Sequence, residues 1–308
     1  MSRIAFLGPH GTFSEEALLS QADLASAELV PLVTIPEVLA ATAEGAVDLG
    51  FVPMENSIEG TVNVTLDTLA LETDLLIQRE VVSGVRMNLL VPPGQALADV
   101  KTVVSIPHAT AQVRRFLARE LPGVITVAAN STAEAAQMVG DAQEPGVAAV
   151  GTALAAQLYG LEVAAAGIED HPENQTRFVM VGTSGLPTRT GHDKTTVVCF
   201  QQADRPGSLL AILQEFAARA VNLTKLESRP TKRSLGEYCF VIDFEGHLAD
   251  ELVADCLRDL KAKLADVKFL GSYPAAGDRG DVRRRDADAA WRRADEWLAQ
   301  LRRGAARP

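Results

Sequence analysis

The order of expected strands and helices changes near residue 190, and that change restricts the chain to two domains of different architecture. Upstream, short apolar runs rich in β-branched residues and bounded by Gly, Pro or Asn read as strands: RIAFL (3–7), LGFVPM (49–54), MNLLVP (87–92), VKTVVSI (100–106), ITVAAN (125–130), VAAVG (147–151) and RFVMVG (177–182). Between them SEEALLSQA, EGTVNVTLDTLALE, ATAQVRRFLARE, TAEAAQMVGDA and TALAAQLYG carry helical periodicity, with Ser or Thr near their starts. Such alternation predicts an α/β unit with largely parallel sheets. SGLPTRTGHDK (184–194) is polar and aperiodic, holds Pro and two Gly, and reads as a linker. Beyond it the order becomes strand (195–201), helix (207–220), strand (222–230), strand (238–246), helix (249–264) and strand (267–274). That is βαββαβ, an antiparallel sheet with both helices on one face. The expected boundaries are 3–182, a linker at 183–194, a second domain at 195–274 and a tail at 275–308.

With 308 residues, 47% hydrophobic and 22% charged, the chain can give each domain its own core. MSRIAFLGPHGTF at the N-terminus has no apolar run of signal-peptide length, and polar residues interrupt every later apolar stretch, which predicts a cytoplasmic protein with no membrane span. Cys199, Cys239 and Cys256 form no CxxC pair and read as reduced, buried thiols. A net charge of −11 argues against nucleic acid and anionic membranes as partners. The tail runs the other way: from Ala276 it holds nine Arg against six Asp plus Glu, a formal +3, and both tryptophans. Trp291, Ala294, Leu298 and Leu301 fall on one helical stripe, which predicts a helix docked on its own protein or on a sister subunit.

Three stretches of the first domain place polar side chains at or beside strand ends, where open α/β sheets hold ligands. In GPHGTFSEEA (8–17), Gly8 and Gly11 allow a tight turn, and Thr12 with Glu15 matches a capping box that turns backbone N–H groups toward a cleft. A plain strand–turn–helix explains the same residues. In VPMENSIEGTV (52–62), Glu55, Asn56 and Ser57 follow a strand. Ser57 has no G-x-S-x-G frame and no nearby His, so it reads as a hydrogen-bonding group or a cap rather than a nucleophile. In NQTRFVMVG (174–182), Thr176 and Arg177 enter an apolar strand. The planar fork of Arg177 suits a carboxylate, and a salt bridge within the protein is the other use open to it. No P-loop, GxGxxG, HExxH or paired metal-ligand motif is present, so neither an organic cofactor nor a metal is expected.

Together GPxGTFSxxA, PxENSxxGxV and TRF, in that order, resemble the prephenate dehydratase family, with SIPHATAQ (105–112) and NSTAEAA (130–136) similar more loosely. The resemblance covers about 3–182 and implies a two-lobed fold similar to periplasmic binding proteins, with its active site between the lobes. It implies that activity depends on Thr176, that Arg177 and Phe178 complete the motif, and that Asn56, Ser57, Thr12 and Ser14 line the cleft around substrate. The substrate would be prephenate, converted to phenylpyruvate with loss of water and CO2. With no chorismate mutase segment ahead of Met1, the resemblance is to a monofunctional enzyme.

DRPGSLLAIL (204–213) and LTKLESRP (223–230) resemble the ACT domain, a ferredoxin-like βαββαβ regulatory module. That resemblance implies L-phenylalanine as allosteric effector, bound between two subunits by Arg205, Pro206, Gly207, Ser208, Leu209, Leu210, Asn222, Leu223, Glu227, Ser228, Arg229 and Pro230. It therefore implies a homodimer or homotetramer. Two rivals remain at this level: the same chemistry on L-arogenate, and a non-catalytic protein that binds an amino acid or small anion.

Overall fold

The computed structural model describes residues 2–24, 26–201, 205–234, 236–277, 293 and 296–303. It divides into two compact units, Met1–Gly185 and Leu186–Pro308. The first lobe of the first unit runs β1 (Arg3–Leu7), α1 (Phe13–Leu19), β2 (Glu28–Leu32), α2 (Ile35–Ala43), β3 (Leu49–Asn56), β4 (Gly60–Thr61), α3 (Asn63–Leu71) and β5 (Leu76–Gly84). The chain then builds the second lobe from β6 (Asn88–Val91), β7 (Thr102–Ser105), α4 (Pro107–Gln112), α5 (Arg114–Glu120), β8 (Ile125–Ala128), α6 (Thr132–Ala142), β9 (Val147–Gly151), α7 (Ala153–Leu158) and β10 (Glu162–Ala165). It returns to the first lobe as β11 (Gln175–Gly182). Two crossings, near 85–87 and 166–174, thus join the lobes.

The strand orders are β2-β1-β3-β11-β5, with β4 beside β3, and β10-β6-β9-β7-β8. Both sheets are mixed, not largely parallel: β11 runs antiparallel to β3 and β5, and β6 runs antiparallel to β9 and β10. The reversal follows from the second crossing, because β11 enters its sheet from the cleft end. In the first lobe Ile4, Phe6, Phe51, Val81, Phe178 and Met180 form a core with Ala17 and Leu18 of α1. On the other face α2 packs so tightly that a Cβ on Gly50 would lie 2.5 Å from Thr42 Oγ1. The second lobe has a core on each face of its sheet, one with α4 and α5 and the other with α6 and α7.

Several elements escaped the sequence reading. β2, β5, β10 and α2 were not expected at all, and the helix expected over 109–120 is broken at Val113 (φ −116°, ψ 14°). Asp170, from the second crossing, causes the break: its carboxylate accepts the Arg115 N–H at 3.1 Å and its N–H donates to the Gln112 carbonyl at 2.7 Å.

The second unit is β12 (Asp193–Phe200), α8 (Ser208–Ala217), β13 (Leu223–Pro230), β14 (Tyr238–Glu245), α9 (Glu251–Lys263) and β15 (Asp266–Pro274). Its antiparallel order is β13-β14-β12-β15, the expected ferredoxin-like arrangement. Val197, Cys199, Phe240, Ile242 and Phe244 share one sheet face and pack against Ile212 and Phe216 of α8 and Val253, Cys256 and Leu260 of α9. The three cysteines are buried and free; burial pushes the Cys199 thiol up to about 12 and Cys256 up to about 11, which keeps both protonated. In the tail, residues 296–303 are helical. Trp291 and Ala294 lie outside the described residues, while Trp297, Leu298 and Leu301 are exposed within this chain rather than docked on it. Among the described residues no helix is long and apolar enough to cross a membrane.

Candidate active site in the first unit

A β-bulge organises the cleft end of β3. Arg177 pairs with Glu55 but Phe178 pairs with Pro53, so Met54 is an extra residue opposite that step. The chain then turns sharply, with Gly60 at φ +81°, and pairs back on itself through β4. Asn56 locks this turn. Its Oδ1 accepts the N–H groups of Ile58 and Glu59, both at 3.0 Å, so its Nδ2 must face the other way. There it donates to Thr176 Oγ1 at 3.0 Å and to the Gln175 carbonyl at 3.3 Å.

The Thr176 hydroxyl is therefore held as an acceptor on one side, and no acceptor among the described residues takes its own proton. Ser57 is occupied twice: Oγ donates to Asn174 Oδ1 at 3.1 Å and accepts the Gln175 N–H at 3.0 Å. The structure thus brings Thr176, Asn56 and Ser57 into one hydrogen-bonded group at the mouth of the cleft.

The other residues expected there make contacts within the protein. Side chains alternate along a strand, so Arg177 projects to the opposite face of the sheet from Thr176. Its Nε donates to Glu80 Oε2 at 2.6 Å, with side chains only 10% and 1% exposed, and Glu55 lies 3.9 Å from its Nη1. An arginine so enclosed by carboxylates forms an ion pair that helps hold the lobe together. Phe178 is likewise a core residue: its ring stacks on Phe51 with centroids 5.1 Å apart.

Thr12 caps α1, accepting the Glu15 N–H at 3.4 Å and donating to the Leu7 carbonyl at 2.9 Å, so both roles of its hydroxyl are spent. Ser14 is buried in the first turn of that helix. The loop before it seams the lobes: Thr152 Oγ1 donates to the Gly11 carbonyl at 2.7 Å and Tyr159 OH to the His10 carbonyl at 2.8 Å. Burial, then the charges of Glu15 and Asp141, raise the Tyr159 phenol and keep it a donor. Gly11 sits at φ +89°, and a Cβ there would crowd Ala155 at 3.1 Å.

Sequence reasoning passed over Asn174, Gln112 and Glu80 as site residues, and noted Glu55 at its strand end without giving it a role. Asn174 and Gln112 lay inside recognised motifs. Glu80 had no signal, because its strand was itself unexpected. Among the described residues no group of three or more His, Cys, Asp or Glu side chains could hold a metal ion.

In the second unit a shallow recess of about 410 Å³ forms beside the turn that opens α8, lined by Arg205, Gly207, Ser208, Leu209, Leu210 and Phe240 among others. Asn222, Leu223 and Glu227–Pro230 are outside it. Those residues lie on or beside β13, the edge strand, and β14 separates β13 from β12. Leu223 packs on the core, and Glu227 is ion-paired with Lys225 at 3.4 Å and Arg229 at 3.8 Å. Ser228 is the register partner of Phe240, which lines the recess, so the two groups of expected effector residues sit on adjoining elements.

The family model for prephenate dehydratase matches residues 4–185, and that for the ACT domain matches residues 195–262. The chain belongs to the prephenate dehydratase family. The prephenate dehydratase of Mycolicibacterium gilvum is 44% identical over 315 residues, covering 99% of each chain. Among solved structures, prephenate dehydratase from Arthrobacter aurescens in complex with L-Phe superposes with a TM-score of 0.86 at 39% identity, covering 98% of this chain and 99% of that one. A quorum-quenching acylase, GqqA, also shares the architecture, with a TM-score of 0.80 and 32% identity over 90% of this chain and 100% of its own.

Proposed function

We propose that this chain converts prephenate to phenylpyruvate in its interlobe cleft, with Thr176 as the group that assists departure of the ring hydroxyl. In that reaction the bond to the ring carboxylate breaks, its electron pair enters the ring, and the hydroxyl leaves as hydroxide that takes up a proton to become water. Aromatisation drives the process, so the protein's task is to orient a dianion and stabilise the charge growing on the leaving oxygen.

The carrying observation is the lock on Thr176: Asn56 occupies the acceptor side of its hydroxyl, and Ile58 and Glu59 prevent the Asn56 amide from turning round. A threonine hydroxyl has no pKa near neutrality and is a poor free acid. As a preoriented donor it can contribute about 2.7–4 kcal/mol to the barrier. Incubating the purified protein with prephenate and following phenylpyruvate absorbance tests the reading, and no product from folded protein would end it. Comparing kcat/KM on prephenate and L-arogenate separates the two substrates.

The acylase relative does not supply the better reading. Acyl transfer needs an activated nucleophile, and both hydrogen-bonding roles of Ser57 are taken by an amide side chain and a backbone N–H.

Regulation follows the ACT assignment. L-phenylalanine would bind where the 205–210 turn of one subunit meets β13 of another, which makes the working protein a homodimer or homotetramer in the cytoplasm. The match to the ACT domain model and the L-Phe complex of the Arthrobacter aurescens enzyme support this. Coupling of this kind amounts to roughly 1–3 kcal/mol. Calorimetry and light scattering check it together; a monomer that takes up no phenylalanine would refute it.

A further inference from the structure

Asn174 is the one polar residue of the second crossing that reaches both lobes and the hinge at once. Its side chain belongs to a residue only 1% exposed. In the hinge, its carbonyl accepts the Val85 N–H of the other crossing at 2.8 Å. Toward the first lobe, its Oδ1 accepts from Ser57. Toward the second, its Nδ2 donates at 3.0 Å to Gln112 Oε1, at the C-terminal end of α4. Gln112 then returns to the first lobe, with Nε2 donating to Glu59 Oε1 at 3.1 Å; His108 Nδ1 stands 3.6 Å from the other Glu59 oxygen.

Two further contacts fix the geometry. At the helix break the Gln112 carbonyl accepts the Asp170 N–H at 2.7 Å, so Gln112 is tied to the hinge by its backbone as well. The Glu59 N–H donates to Asn56 Oδ1, so the outer end of the bridge connects to the residue that orients Thr176.

We infer that Asn174, Gln112 and Glu59 form a latch across the cleft, and that Asn174 and Gln112 are positioning residues that hold the Thr176 group in register only while the lobes are closed. This deepens the dehydratase reading and rests on it. The physical reason is that opening the lobes withdraws Gln112 from Asn174. A buried carboxamide that loses its acceptor must turn to find another, and the side chain that turns is the one holding Ser57. Placement errors of about 1 Å at a reacting centre cost up to about 100-fold in rate.

The test exchanges the donor and acceptor of the outer contact. Gln112→Glu keeps an oxygen for Asn174 but sets two carboxylates against each other at Glu59, and should lower kcat on prephenate by roughly 10- to 100-fold with a smaller change in KM. The double variant Gln112→Glu/Glu59→Gln restores one donor and one acceptor and should return kcat to within about threefold of the parent. Hydrogen exchange supplies a readout independent of catalysis: the Val85 and Gln175 amides should exchange faster in the single variant and recover in the double. Full kcat in the single variant, or no recovery in the double, overturns the latch. A parent protein that makes no phenylpyruvate while the exchange pattern holds would instead fault the dehydratase reading and leave the latch standing.

Discussion

Thr176 and Arg177 are consecutive in one motif, yet they inhabit two different environments. Thr176 sits on the cleft side, where its hydroxyl accepts from the Asn56 amide. One residue on, Arg177 is shut into the opposite side against Glu80 and Glu55. Adjacency in a strand separates side chains across a sheet, so such a motif divides its work: one residue for the cleft, and an arginine and a phenylalanine for the body of the lobe. The comparison also bears on how an acidic protein handles a dianion. The cation nearest the threonine in sequence is already paired with Glu80 within the lobe.

The largest expected effect tests the closed side. Arg177→Met strands a nearly inaccessible Glu80 carboxylate, and losing one partner of a buried pair costs about 3–5 kcal/mol. The denaturant midpoint should fall accordingly, and Arg177→Met/Glu80→Gln should recover part of the loss. If Arg177→Met unfolds like the parent and only KM rises, the arginine serves substrate and the division fails.

Next comes the open side. Thr176→Val removes the donor without changing shape and should slow kcat by about 10²- to 10³-fold at unchanged stability, whereas Thr176→Ser should keep most of the activity. Equal losses in the two would mean that the methyl group, not the hydroxyl, matters.

A smaller effect is expected one bond further out. Asn56→Asp places a carboxylate acceptor where the amide donated, so the Thr176 proton turns toward it and away from the cleft. We expect kcat to fall about tenfold, less than for Thr176→Val, and Asn56→Ser to lie between this variant and the parent. An Asn56→Asp protein as fast as the parent would remove Asn56 from its orienting role.

What was legible in the sequence divides along similar lines. Local patterns located β1 and β9 to the residue, and the βαββαβ order of the second unit, because alternation and turn chemistry are written within a few positions. The motifs brought Thr176, Asn56 and Ser57 to one place. Illegible were features set by partners far along the chain. Strand β5 carries Gln78, Arg79 and Glu80 in mid-run, which disguises it; Glu80 makes sense only beside Arg177, 97 residues away. The helix break at Val113 is imposed by Asp170, 55 residues beyond Arg115. Nothing within 107–120 announces it. The face to which Arg177 turns depends on the register of β11 against β3 and β5, which no local pattern contains.

The smallest effect concerns a second carboxylate held by an arginine, this time at the hinge. Burial alone would raise the Glu169 carboxyl, but the Arg86 guanidinium at 2.7 Å and the Met87 N–H at 2.9 Å outweigh it and hold the group below the ordinary glutamate value. A depressed folded value means that the charged form stabilises the protein above the unfolded pKa of about 4.3, and that this contribution fades as pH falls through the folded pKa. Stability measured against pH should therefore drop more steeply below about pH 5 in the parent than in Glu169→Gln, with the two curves converging at the acid end. Thr176 does not titrate in this range, so the activity of the remaining folded protein should not acquire that same dependence. Parallel stability curves would show that the hinge pair contributes nothing through its charge. It would then differ from the Arg177–Glu80 pair in kind, not merely in degree of burial.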